Sequence, residues 1–161
     1  MERVTFEREI EALHPASFSW AMACCRYRRQ EAEDVLQETY LKVIDGRARF
    51  DGRSGLKTWL FSVIRRTAAD RARRSFLRDL LLARWHAADP PAVEPTAVND
   101  ERAVRAVKAL QGLPRRQREV LELVFYQDLT VEEAAGTMGV AVGTARIHYH
   151  RGKKRLLEVL G

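Results

Sequence analysis

Apolar residues recur along this chain at helical spacing almost throughout, and no stretch shows the strict alternation of a half-buried strand. Phe6, Ile10 and Leu13 open the pattern. Pro15 follows where a second helix, from Ala16 to about Arg29, can begin, because the first helical position has no use for the missing N–H. Val35, Leu36, Tyr40, Val43 and Ile44 mark one face of a third helix from about Glu31 to Asp45. Gly46, Gly52 and Gly55 break it in a loop of RARFDGRSG character. A long fourth helix is predicted from Leu56 to about Trp85, with Trp59, Leu60, Val63 and Ile64 as its stripe.

The segment HAADPPAVEPTAV, residues 86 to 98, interrupts this rhythm: it holds three of the five prolines and almost no large apolar residue. Such a stretch buries too little to order itself and reads as a flexible linker. The fold class expected is therefore all-α, with two small helical domains, residues 1–85 and 99–161, joined by that linker. The linker's composition predicts only weak coupling between the halves. Beyond it Val104, Val107 and Leu110 define one helix, ended by Gly112 and Pro114, and Val120, Leu121, Leu123, Val124 and Phe125 define the next.

Thr130 and Glu133 have the spacing of a capping box, so a helix should start there, with Ala134, Ala135 and Met138 on its apolar face. Gly139 allows a tight turn, and a last helix runs from about Val142 to Leu160. On it Ala145, Tyr149, Gly152 and Leu156 form a narrow packing stripe. The opposite side carries Thr144, Arg146, Ile147, His148, His150, Arg151, Lys154 and Arg155, which suits a recognition helix entering the major groove. A merely solvated basic face has the same composition. The order of capping box, glycine turn and basic helix favours DNA recognition.

Charge changes the picture only moderately. Lys and Arg number 28 against 22 Asp and Glu, a net +6, which favours a polyanionic partner. Arg65, Arg66, Arg71, Arg73 and Arg74 crowd one helix more densely than solubility requires. The two cysteines, Cys24 and Cys25, are adjacent, a poor arrangement for an unstrained disulfide, and no Cys/His cluster has metal spacing, so they read as reduced thiols with no metal and no cofactor. The charged N-terminus argues against a signal peptide, and a cytoplasmic location is expected.

These motifs together resemble a known family. AEDVLQETYLKVI resembles the polymerase-binding helix of extracytoplasmic-function sigma factors of the sigma-70 family. Phe50 through Arg74 resembles their promoter-melting segment, and LPRRQREVLELVFYQDLTVEEAAGTMGVAVGTARIHYHRGKKRL their C-terminal domain. The resemblance implies a region 2-like domain at 1–85 and a region 4-like domain at 99–161. It also implies binding to core RNA polymerase, at the clamp helices of the largest subunit and the flap of the second-largest, and promoter-specific initiation.

By matching position, Asp34, Gln37, Glu38 and Lys42 would face the polymerase. As surface residues, Asp34 and Glu38 should tolerate reversal to lysine with a stability change under about 0.5 kcal/mol. Phe50, Ser54, Leu56, Lys57, Thr58 and Trp59 would lie in or beside the loop that captures an unstacked base of the minus-ten element. Arg65, Arg66, Arg71, Arg73 and Arg74 would lie along the nearby strand. Thr144, Arg146, Ile147, His150, Arg151 and Lys154 would meet the minus-thirty-five element, arginine having the best chemistry for a guanine edge. Arg66, Ile147 and His148 depart from the family pattern, so promoter sequence does not transfer from relatives. An anti-sigma factor is implied as a further partner and a small-molecule substrate is not.

Two other classes compete. A helix-turn-helix regulator would bind duplex DNA without polymerase. An enzyme would need a motif such as GxxxxGK[ST], GxGxxG or HExxH, and the chain has none. A membrane-surface protein is disfavoured because the arginines lie among buried-type apolar faces in both halves.

Overall fold

A computed structural model describes residues 2–83 and 100–161. Among them every regular element is helical: α1 (Arg3–Ala12), α2 (His14–Cys24), α3 (Arg29–Ile44), α4 (Leu56–Leu82), α5 (Glu101–Gln111), α6 (Arg115–Leu121), α7 (Val131–Met138) and α8 (Val142–Leu160). A π-helical turn, Glu122–Tyr126, continues α6. The predicted linker lies outside the described residues, as does the expected end of α4 at Trp85.

The first half is built around α2, α3 and α4. Pro15 stands in the first turn of α2 as expected, but the helix ends at Cys24 instead of near Arg29. Arg26 and Tyr27 take left-handed conformations with φ of 53° and 61°, which no regular helix accommodates. Trp20, fully buried, stacks on Phe61 with ring centroids 5.9 Å apart, and its indole N–H donates to the Phe61 carbonyl at 3.0 Å. Val35, Leu36, Leu60, Val63 and Ile64 complete this core. It stops at Ala68, beyond which Phe76, Leu77, Leu80 and Leu81 of α4 are exposed.

In the second half the capping box forms: Thr130 Oγ1 accepts from the Glu133 amide at 3.0 Å, and a Glu133 carboxylate oxygen accepts from the Thr130 amide at 3.1 Å. Gly139 closes α7 at φ 69°, a conformation a side chain would strain. The stripe read on α8 packs as expected, Ala145 and Gly152 buried against α6 and α7. A Cβ on Gly152 would come 3.1 Å from Leu121 Cδ1 and from Gln117 Cβ, so a larger residue there would push on α6.

The halves meet directly. α7 lies along the start of α4, the π-helical turn touches α2, and Leu110, Val120, Leu121, Leu123, Leu129, Ala134 and Met138 join Trp20, Leu60, Phe61 and Ile64 in one continuous hydrophobic cluster. Weak coupling, expected from the linker's composition, is therefore corrected. Coupling comes from helix faces outside the linker, which present apolar residues to each other.

Candidate nucleic-acid interface

The polar face of α3 is occupied by partners from α4. Arg71 donates to Glu38 at 3.2 Å and to Asp34 at 3.4 Å, Arg74 reaches Glu38 at 3.2 Å, and Lys42 donates to the Thr67 hydroxyl at 3.0 Å. Burial pushes the Glu38 carboxyl up, but the hydrogen bonds from Arg71 and Arg74 outweigh it and hold the group below its ordinary value. Asp34 and Glu38 are half-buried and Gln37 is exposed. The expectation that Asp34 and Glu38 form an independent surface is thus corrected: reversing them would set lysines against Arg71 and Arg74.

The glycine-broken loop after α3 walls an open cleft of about 530 Å³ lined by Phe6, Val43, Ala48, Arg49, Phe50 and Asp51 among others. Phe50, Phe6 and Trp59 form a three-ring cluster, the Phe50 centroid 6.4 Å from Phe6 and 5.4 Å from Trp59, with Phe6 and Trp59 6.2 Å apart. Of the expected loop residues only Phe50 lines the cleft. Ser54 is exposed outside that lining, Leu56 is half-buried, and Trp59 is buried behind Phe50. Phe6, Arg49 and Asp51 were not expected at this site from sequence, Phe6 having been read only as part of an apolar helix face. The basic, glycine-bounded loop was the available signal, but only folding brings α1 beside it.

Further along α4 the arginines differ in how they are held. Arg66 is exposed and, among the described residues, reaches the Ser62 carbonyl of its own helix at 3.3 Å, while Arg73 pairs with Asp70. Arg65 is turned toward the second half, its Nε donating to Glu119 Oε2 at 2.7 Å, with side chains 16% and 8% exposed. Lys57 donates to the Gln127 carbonyl and packs over the Phe61 ring. Thr58 is buried under α7, where its carbonyl accepts from the Thr137 hydroxyl at 3.4 Å.

On α8 the arrangement is opposite. Thr144, Arg146, Ile147, His150, Arg151 and Lys154 are all exposed on one side of the helix. Arg146 alone among them has an ion-pair partner among the described residues, Glu132 at 2.8 Å. His148, one of the departures from the family pattern, is half-buried with Nδ1 unpartnered among the described residues. The helix is braced from behind, where Tyr149 stacks on Phe125 at 6.1 Å. Such a rigid helix, with free donors on its outer side, can enter a major groove.

Cys24 and Cys25 are both free. Burial, with Glu119 adding to it, raises the Cys24 thiol well above its ordinary value, and burial, followed by Glu31, pushes Cys25 up to about 12. Both shifts disfavour the reactive thiolate. Among the described residues no group of His, Cys, Asp or Glu is disposed to hold a metal ion, and no helix is long and apolar enough to cross a membrane.

Comparison with known proteins matches residues 10–76 to Sigma-70 region 2 and residues 103–156 to Sigma-70 region 4. The chain is 32% identical over 130 residues to the RNA polymerase sigma factor CarQ of Myxococcus xanthus, covering 81% of this chain and 75% of that protein. It is 29% identical to the ECF RNA polymerase sigma factor SigX of Bacillus subtilis, over 94% of this chain and 81% of that one. Among solved structures it is similar to the sigma factor RpoE from Bartonella quintana, determined in complex with the anti-sigma factor NepR, with a TM-score of 0.80, 28% identity, and 97% and 96% of the two chains covered.

Proposed function

We infer the division of labour within this chain from the family to which it belongs: it is an extracytoplasmic-function sigma factor of the sigma-70 family, which directs promoter-specific transcription with RNA polymerase. Members of this family are initiation factors, not catalysts. The observation that carries the finer assignment is the contrast between a concave, aromatic-walled cleft beside α4 and a convex helix with free polar side chains, α8.

The cleft suits one unstacked base. Its aromatic wall, Phe50 backed by Phe6, offers a stacking surface, and Arg49 and Asp51 offer a donor and an acceptor at the rim. Arg65, Arg66, Arg73 and Arg74 would follow the strand's phosphates along α4, with Lys57, Thr58 and Trp59 at its start. Arg71, held by two carboxylates, is assigned to ordering the α3–α4 pair as well. The exposed Gln37, flanked by Asp34, Glu38 and Lys42, faces the polymerase clamp helices, and the second half meets the flap.

Arg151 and His150 on α8 read bases of the minus-thirty-five element, Arg146 and Lys154 hold phosphates, and Thr144 and Ile147 make the close groove contacts. An anti-sigma factor is a further partner, as one is for the Bartonella protein. The protein works in the cytoplasm, where the polymerase is.

Run-off transcription with purified core polymerase tests the assignment. Initiation from a cognate promoter is expected only when both are present. Failure to co-elute with core polymerase, together with a shift of duplex promoter DNA by the chain alone, would favour a polymerase-independent regulator instead.

A further inference from the structure

The outer side of α8 is basic, yet the residue at its crest, in the half of the helix that would meet bases, is apolar. The packing stripe fixes how the helix is rotated about its own axis: Ala145 and Gly152 are buried, and Tyr149 and Leu156 pack against the core. At ~3.6 residues per turn, Ile147 then stands roughly 180° from the middle of that stripe. It is 51% exposed. Single apolar side chains are common on protein surfaces and by themselves mean nothing. What sets this one apart is its place, about one and a half turns into α8, where a recognition helix meets base edges.

Its neighbours leave it clear. Arg146 is drawn back toward α7 by Glu132 at 2.8 Å, and Lys153 lies over the Tyr149 ring, 5.8 Å from its centroid. Thr144 and Arg151, one turn before and one turn after, are exposed on the same side. Isoleucine carries no donor or acceptor, so it reads no base by hydrogen bonding. Pressed against a polar base edge, it would strip that edge of water and return nothing. Of the groups that base pairs present in the major groove, the C5 methyl of thymine is the apolar one. Contact between that methyl and the isoleucine removes both apolar surfaces from water at once.

We propose that Ile147 selects a thymine in the minus-thirty-five element through its C5 methyl group, close to the guanine assigned to Arg151. The proposal rests on the sigma-factor reading of α8. Arg151 follows Ile147 by four residues, ~6 Å of helix at ~1.5 Å per residue, which places the thymine within about two base pairs of the guanine at ~3.4 Å per step. Cytosine at that position is rejected on two grounds, since it lacks the methyl and turns an amino group toward the same edge of the groove.

A methyl scan tests this. In the promoter complex with core polymerase, each thymine of the minus-thirty-five element is replaced singly by deoxyuridine, which deletes the methyl and keeps every hydrogen-bonding group. Wild-type binding should fall roughly three- to fivefold at one position, as for one methyl group lost from an apolar contact, and hardly at the others. With Ile147→Ala that position should lose its sensitivity to uracil, while Arg151→Ala should keep it. Ile147→Val, shorter by one methyl, should show a smaller uracil penalty than the wild type, and it carries the comparison where the alanine variant binds too weakly to titrate. Circular dichroism melts verify that the variants are folded. A penalty that is absent everywhere, spread evenly over the thymines, or unchanged in the Ile147 variants overturns the thymine contact and leaves the sigma-factor reading standing. Absence of any polymerase-dependent promoter complex with the wild type overturns that reading, and the thymine contact with it.

Discussion

The two helices proposed to face DNA, α4 and α8, hold their cations in opposite ways. Along α4 Arg65, Arg71, Arg73 and Arg74 are each paired with a carboxylate of the same chain, whereas on α8 only Arg146 among the assigned residues has such a partner among the described residues. A paired cation contributes to folding until something displaces its partner, and a free one is available at first encounter. On the proposed assignment, duplex recognition by α8 would need no rearrangement within the helix, while strand capture along α4 would be coupled to the exchange of internal ion pairs. The difference follows from neighbours: α3 supplies Asp34 and Glu38 and α6 supplies Glu119, whereas among the described residues the assigned side of α8 meets one carboxylate, Glu132 of α7.

The largest test of that contrast reverses the α3 carboxylates. Asp34→Lys with Glu38→Lys should cost roughly 1–3 kcal/mol, between the weak contribution of exposed pairs and the larger cost of leaving partly buried charges uncompensated. Thermal unfolding of the full chain should fall by several degrees. Gln37→Lys, on the exposed part of the same face, should weaken co-elution with core polymerase at nearly unchanged melting temperature. An equally stable double mutant would show that the pairs seen with Arg71 and Arg74 contribute nothing to folding.

A test of similar size for one sequence, but small for others, lies on α8. Arg151→Ala should cost roughly 1–3 kcal/mol on the cognate minus-thirty-five element and flatten discrimination, as expected for a lost bidentate guanine contact. Lys154→Ala should weaken all sequences alike and lower the salt slope by about one counterion. Promoter complexes with polymerase, titrated on cognate and scrambled elements across a salt series, separate the two. Identical behaviour would reduce α8 to a non-specific basic helix.

The smallest effect is in pH, where the halves have opposite signs. Glu38 is held below its ordinary value, so its contribution to stability is present above pH ~4.5 and is lost as the pH falls through its lower folded value. Glu122 is the reverse: burial raises it, against the lowering by the Tyr27 hydroxyl and Arg118. Its contribution is complete below pH ~4.5 and is lost as the pH rises through the raised folded value. Melting temperature measured in small pH steps should show Glu122→Gln abolishing the upper change and Glu38→Gln the lower one. A Glu122→Gln protein with the wild-type profile would remove Glu122 from that account.

Helix content, the capping box at Thr130, the left-handed Gly139 and the limits of α8 were legible in the sequence, because each rests on interactions within a few residues. So were the family and the exposed face of α8, since a solvated helix side keeps the character that its residues announce. The early end of α2 at Cys24, before the left-handed Arg26, and the π-helical turn at Glu122 were not, because both are set by what packs against them. Nor could spacing show that Phe6 of α1 would wall the cleft or that Asp34 and Glu38 would be claimed by Arg71 and Arg74. The seam between the halves was least legible of all: Arg65 and Glu119 stand 54 residues apart, and Tyr27 and Glu122 stand 95 apart. Local pattern determines which helices form and which faces are apolar. Which charged side chain meets DNA, polymerase or its own chain depends on long-range pairing, where burial and ion-pair exchange are decided only once the helices have packed.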